Sequence, residues 1–128
     1  MSHFTDVKTQ IKTTEDIRIC LEELGYTIVE TNSVRGYGGT TVVVEFAVTT
    51  QQGGYQIGLR KGDDGNYEVI ADWWGVKGIA EREFLSKLTA AYAERKIRAH
   101  AKRKGYRVIK EKAAEGVITQ LLLVRRNY

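Results

Sequence analysis

The sequence contains no proline. Its turns and helix ends must therefore be set by glycine and by short polar side chains, and no helix interior loses an N–H to a pyrrolidine ring. A single cysteine, Cys20, excludes an intrachain disulfide and any zinc site built on cysteine pairs. The only histidines, His3 and His100, lie far apart in the chain, so neither a metal nor another cofactor is expected. No apolar run approaches the roughly 20 residues of a membrane helix, and the N-terminus lacks the basic-then-apolar pattern of a signal peptide. Membrane insertion is not expected, and the reducing environment of a cytosol or stroma is the simplest setting.

What is present amounts to one ordinary domain, residues 1–128, with a net charge of +4. The charge is unevenly spread. Residues 1–64 carry 6 Lys/Arg against 9 Asp/Glu, a net of −3, whereas residues 65–128 carry 14 against 7, a net of +7. An acidic partner is best sought on the second half.

The periodicity predicts α+β architecture. Phe4 to Gln10 alternates as a short strand. Thr13 or Thr14 then caps a helix whose Ile17, Cys20, Leu21 and Leu24 recur at i, i+3, i+4 and i+7, and Gly25 stops it. Tyr26 to Glu30 is strand-like, Asn32 to Gly39 reads as a loop, and Thr41 to Thr49 reads as one strand with Val42, Val44, Phe46 and Val48 on one face. Two more strands, Tyr55 to Arg60 and Tyr67 to Trp73, flank a Gly62-Asp63-Asp64-Gly65 turn. A long helix is expected from about Ala80 to Lys104, ended by Gly105. A hairpin of Tyr106 to Lys112 and Val117 to Arg125 follows, turning at Glu115-Gly116. Leu24-Gly25-Tyr26 and Lys104-Gly105-Tyr106 occupy the same point in the two halves. The reading is a mainly antiparallel sheet with two helices on one face, either a duplicated βαββ unit or a chance recurrence of common helix–glycine–strand grammar.

Three groups of residues invite function. From Arg95 to Lys104 there are six Lys/Arg in ten residues (Arg95, Lys96, Arg98, Lys102, Arg103, Lys104) and no acid, with Arg107 on the next strand. At about 100° per residue Arg95, Arg98 and Lys102 share a face. That stripe suits a nucleic-acid backbone, with Tyr92 or Tyr106 to stack on a base, or an acidic protein surface. It also suits a solvated helix end that favours cations. The loop with Arg35, Gly36, Tyr37, Gly38 and Gly39 offers a cation, a ring and close backbone approach, yet matches no phosphate-loop or dinucleotide pattern. Flexible hairpin geometry alone also accounts for its glycines. Trp73 and Trp74 close a strand, where neighbours point to opposite faces. One ring then meets solvent or a partner, unless both cap the core.

Catalysis has the weakest case, and no catalytic residue is assigned. Ser2, Ser33 and Ser86 have no visible His–Asp companions, and Cys20 falls on the apolar helix face. Asp6, Glu45, Glu68 and Asp72 are the carboxylates that a sheet would bring near one another.

Met1-Ser2-His3-Phe4, Val7-Lys8-Thr9-Gln10-Ile11 and Leu24-Gly25-Tyr26 resemble the family called hypothetical chloroplast reading frame thirty-five. So do Val34-Arg35-Gly36-Tyr37 with Gly39, Tyr55 with Ile57-Gly58, Tyr67-Glu68-Val69-Ile70-Ala71-Asp72-Trp73, and Phe84-Leu85 with Leu88 and Tyr92-Ala93. The chain departs from the family pattern at Glu94-Arg95-Lys96, where members carry an aromatic and a histidine. The resemblance implies a small soluble protein of cyanobacteria, plastids and some other bacteria, of uncharacterised function. Gene neighbourhoods in that family include AAA-type ATPases. The resulting expectation is a non-enzymatic accessory protein that binds a protein partner through Arg35, Tyr37, Trp73 and Trp74, the partner being an AAA-type ATPase or a photosynthesis-related assembly. A nucleic-acid-binding module using the second helix, and an enzyme with an unrecognised site, are the alternatives.

Overall fold

A computed structural model describes residues 3–114 and 117–125, with side-chain environments through residue 106. The elements run β1 (Thr5–Lys8), α1 (Thr14–Glu23), β2 (Thr27–Val29), β3 (Ser33–Arg35), β4 (Thr41–Val43), β5 (Phe46–Thr49), β6 (Ile57–Lys61), β7 (Tyr67–Ala71), α2 (Glu81–Lys104), β8 (Tyr106–Ala114) and β9 (Val117–Arg125). Five strands form an antiparallel sheet in the order β1-β7-β6-β5-β2. β3 pairs with β4 and β8 with β9 in separate two-stranded ribbons.

Alternation along the strands decides what covers each face. Phe46 and Val48 of β5, Ile57 and Leu59 of β6, and Tyr67, Val69 and Ala71 of β7 form one buried cluster. The same cluster holds Ile17, Cys20 and Leu21 of α1 with Phe84, Leu88 and Ala91 of α2. Both helices thus lie on one face. The opposite positions, Ala47 and Ile70, pack under Val34 and Val44, so the β3–β4 ribbon covers the other face.

Thr13 is the N-cap of α1. Its hydroxyl accepts from the Asp16 N–H, and Glu15 and Asp16 place negative charge in the first turn. Gly25 (φ 90°) and Gly105 (φ 78°) take the left-handed conformation that ends each helix at little steric cost. At the far end of the unit, Arg18 forks onto both Glu30 oxygens (2.7 and 2.8 Å) and lies over the Phe46 ring, tying α1 to the chain beyond β2.

Three expectations change. The strand expected over Tyr67 to Trp73 ends at Ala71, and Trp73 and Trp74 lie in the turn that follows rather than closing it. Thr41–Thr49 is not one strand: Val42 and Val44 belong to the cluster under the ribbon, Phe46 and Val48 to the cluster under the helices. The break comes where the Val44 N–H bonds Asn32 O (2.9 Å) and the Glu45 N–H bonds Leu59 O (2.9 Å). There the chain leaves one sheet and enters the other. Asn32–Gly39 in turn is not all loop, because Ser33–Arg35 pairs with Thr41–Val43 as β3. The likeness between the halves stops at the helix–glycine–strand junction. β2 joins the large sheet beside β5, whereas β8 pairs with β9 and lies against α2. The Glu115-Gly116 turn lies outside the described residues.

Candidate aromatic docking site

The connection after β7 and the tip of the β3–β4 ribbon meet on one surface. Asp72, just past β7, is buried at 2% exposure, and its Oδ2 accepts the Tyr37 N–H at 3.0 Å. That bond seats Tyr37 beside Trp74, their rings edge to face with centroids 5.7 Å apart. The loop glycines have separate uses. Gly36 passes against Phe4 and Asp72, where a Cβ would crowd, while Gly38 and Gly39 supply the positive φ of the ribbon turn.

Tyr55 completes the cluster from the other side, its ring 6.3 Å from that of Trp74. It is held by backbone: its N–H bonds Gly75 O (2.8 Å), and its ring lies on the Gly75 Cα. Trp74 is 68% exposed and Tyr37 53% exposed, yet each has a ring neighbour. Tyr55 also walls a cleft of about 360 Å³ lined by Ser33, Arg35, Thr41, Gly54 and Gln56. Arg35, Tyr37 and Trp74, expected together from the sequence, therefore do converge. Tyr55 enters the sequence reading only through the family resemblance at Tyr55 and Ile57-Gly58; the Gly53-Gly54 turn before it carries no local sign that its ring meets Trp74.

Trp73 lies elsewhere. Its ring packs on Phe84 (5.6 Å) in the helix-side core, and its Nε1 donates to Thr5 Oγ1 at 3.0 Å. It belongs to the helix-side packing rather than to the exposed cluster. Tryptophan fluorescence separates the two. A Trp73→Phe protein, retaining Trp74, is expected to emit at longer wavelength and to be quenched strongly by acrylamide. A Trp74→Phe protein should emit further to the blue and be quenched weakly. Equal quenching of the two variants would contradict this placement.

The basic residues of α2 converge only in part. A cleft of about 530 Å³ between α1 and α2 is lined by Arg95, Arg98 and Lys102 together with Asp16, Glu23 and Glu94. Arg95 Nε donates to Asp16 (2.8 Å) and Arg98 Nε to Glu94 (2.7 Å), so carboxylates answer two of the three expected stripe cations. Lys96 sits over the Tyr92 ring at 5.4 Å, occupying a face that a base would need. Lys102, Arg103 and Lys104 are exposed in the last turn, where the helix end favours positive charge. The Arg107 side chain lies outside the described residues.

The Arg95 hydrogen bond, with a second from Thr13, holds the Asp16 carboxyl below its usual range. A carboxylate depressed in the folded state stabilises fully above its unfolded pKa and ceases to as pH falls through the folded one. Asp16→Asn is accordingly expected to cost about 0.5–1 kcal/mol at pH 7. In urea titrations at successive pH values, that difference should vanish below the folded pKa of Asp16. A difference that persists there would mean the pair contributes through packing alone.

Of the carboxylates expected near one another, Asp6 and Glu68 do meet, bridged by a single arginine, while Glu45 and Asp72 have partners of their own. Arg60 reaches both Asp6 and Glu68 (3.2 Å each), and Glu45 accepts from the Tyr67 hydroxyl (3.0 Å) and the Lys61 N–H (2.6 Å). Cys20 is fully buried, and desolvation pushes its thiol up to about 11, far from a nucleophile's range. Among the described residues no cluster of His, Cys, Asp and Glu could hold a metal ion, and no helix is long and apolar enough to cross a membrane.

Residues 20–121 match the profile of a family described as "Protein of unknown function (DUF1257)". The chain is also 30% identical over 128 residues to an uncharacterised protein ycf35 of Guillardia theta, covering 98% of each chain. No solved structure matches it. The aromatic cluster is built largely from segments inside the matched region, and the resemblance read from the residues is borne out: the chain belongs to the DUF1257 family, and so to the uncharacterised chloroplast-reading-frame proteins that ycf35 represents.

Proposed function

We propose that this protein is a non-enzymatic accessory protein of the cytoplasm or plastid stroma that docks on a protein partner through Arg35, Tyr37, Tyr55 and Trp74. The observation that carries this reading is Trp74, 68% exposed and yet positioned between two tyrosine rings. Leaving an indole in water forgoes the stabilisation that its burial would bring. A tryptophan held in place beforehand, beside an arginine, has the composition of interface residues that dominate binding energy. An AAA-type ATPase and a photosynthesis-related assembly are the partners the family resemblance suggests. Asp6 and Glu68 are both held by the Arg60 guanidinium and Glu45 by the Tyr67 hydroxyl, an arrangement that favours structural ion pairing over acid–base chemistry. A helix whose Arg95 and Arg98 already pair with carboxylates attracts a polyanion less, so nucleic-acid binding is the second reading.

Photo-crosslinking in cells tests the proposal. A photoreactive phenylalanine analogue replacing Tyr37 keeps an aromatic ring in the cluster, and the same analogue at the exposed Glu15 serves as control. The expected result is one discrete protein adduct from position 37, none from position 15, and its loss when Trp74 is changed to alanine. Indifference of the adduct to Trp74→Ala, or its absence, would contradict docking at this surface.

A further inference from the structure

We propose that the cleft beside Trp74 receives an acidic segment of the partner, with one carboxylate on Arg35 and a neighbouring apolar side chain on the aromatic cluster. The inference rests on the docking reading above and names the chemistry of what docks. Ser33, Arg35, Thr41, Tyr55 and Gln56 all face this cleft. The side chains of Ser33, Arg35, Thr41 and Gln56 make no hydrogen bond or ion pair with a described residue. The lining therefore presents a guanidinium, two hydroxyls and an amide without partners among the described residues, and it contains no carboxylate.

Among the described residues Arg18, Arg60, Arg95 and Arg98 each hold a carboxylate, whereas Arg35, Arg82 and Arg103 hold none; of these three only Arg35 lines the cleft that Tyr55 walls. A planar fork of donors left open beside two hydroxyls is complementary to a carboxylate, which it can grip through two parallel bonds. The cleft and the aromatic surface are one site because Tyr55 belongs to both: it lines the cleft and contacts Trp74. A segment that places an acid on Arg35 thus brings its adjacent residues over Tyr55 and Trp74.

The count of cations separates a peptide acid from a polyphosphate chain. The cleft has one, Arg35, so the site lies away from the basic half, where charge alone points to an acidic partner, and depends on this single guanidinium. One guanidinium matches one carboxylate, but a nucleic-acid backbone is held by several cations that neutralise successive phosphates. Peptide geometry also suits the neighbourhood, since extended segments bind by placing alternate side chains in adjacent subsites.

The test uses the full-length protein and an array of capped 12-residue peptides varying independently in Asp/Glu, Lys and aromatic or leucine content. Retained peptides should carry an acid within about three residues of an aromatic or leucine. For such a peptide Arg35→Gln should weaken binding by about tenfold or more, as expected for loss of a charge-assisted contact. The Glu→Gln version of the peptide should bind the wild type weakly and respond little to Arg35→Gln. NMR shifts on titration should fall on Ser33, Thr41, Tyr55 and Gln56. Arg35 is exposed and makes no ion pair within the described residues, so its variant should fold normally, which a thermal melt verifies. Retention of peptides without acids, retention of none, or tighter binding of an oligonucleotide than of any peptide would overturn the proposal. The Tyr37 crosslink distinguishes the two levels. If it survives Arg35→Gln while no acidic peptide is retained, docking stands and the acidic segment falls. If it never forms, docking itself falls.

Discussion

Replacing Phe84 by alanine is expected to destabilise the protein by about 3–5 kcal/mol, a large share of a typical domain's stability. Phe84 is fully buried in the first turn of α2, and its ring meets Tyr26 (5.2 Å) from the end of α1 and Trp73 (5.6 Å) from the end of β7. It is the point where both helices and the sheet share one contact. The buried side chains of α2 are Phe84, Leu88, Ala91 and, much further along, Ala101. The grip of this 24-residue helix on the core is therefore concentrated in its first half, and a cavity at position 84 removes the largest piece of it. Chemical denaturation of wild type, Phe84→Leu and Phe84→Ala measures the effect, with leucine expected to retain more than half of the loss. A penalty under 1 kcal/mol for alanine would mean that α2 is anchored elsewhere.

Gly75→Ala should do two things at once. A Cβ at position 75 would lie 2.2 to 2.6 Å from three atoms of the Tyr55 ring, including Cγ, the atom with least freedom to move. The ring cannot slide away freely, because the Tyr55 N–H is bonded to the Gly75 carbonyl. Relief therefore requires the ring to leave the cluster or the pairing of the two segments to open. Overpacking of this kind costs about 1–3 kcal/mol. The second consequence is loss of the docking surface: Trp74 loses its Tyr55 neighbour, the cleft loses a wall, and the Tyr37 crosslink should fade. Trp74→Ala should abolish the crosslink while changing stability by less than about 0.5 kcal/mol, because the indole is mostly in water. If Gly75→Ala melts like wild type and keeps the crosslink, Tyr55 has no part in the site.

How much of this was legible beforehand follows from how local each signal is. α1 is capped by Thr13, begins at Thr14, and its last residue lies just before Leu24-Gly25. α2 spans Glu81–Lys104, within a residue of the expected bounds. Caps, acidic first turns and a glycine C-terminus act within a few residues, so a sequence window contains their whole cause. The alternation of Phe46 and Val48 in β5, and the existence of strands at β6 and β7, were visible for the same reason. The expectation that Trp73 and Trp74 diverge rested on strand period, but the two lie in the turn after β7, so their opposite directions come from the turn and its distant contacts.

Which face is which was not legible. Trp73 faces Phe84 and Trp74 faces Tyr55 and Tyr37 because of residues far away in the chain. The same distance hid the break at Val44–Glu45, whose hydrogen bonds go to Asn32 and Leu59. It also hid the capture of Arg95 by Asp16, which turns an apparently free basic stripe into a mixed-charge cleft. By itself the sequence determined the α+β class, the two helices and their ends, the strand periods and the family. The tertiary structure alone decided which aromatic is offered to solvent, that Arg35 meets no carboxylate among the described residues, and that the two stand together. A cap or a period is a property of neighbours along the chain, whereas exposure and pairing are properties of neighbours in space.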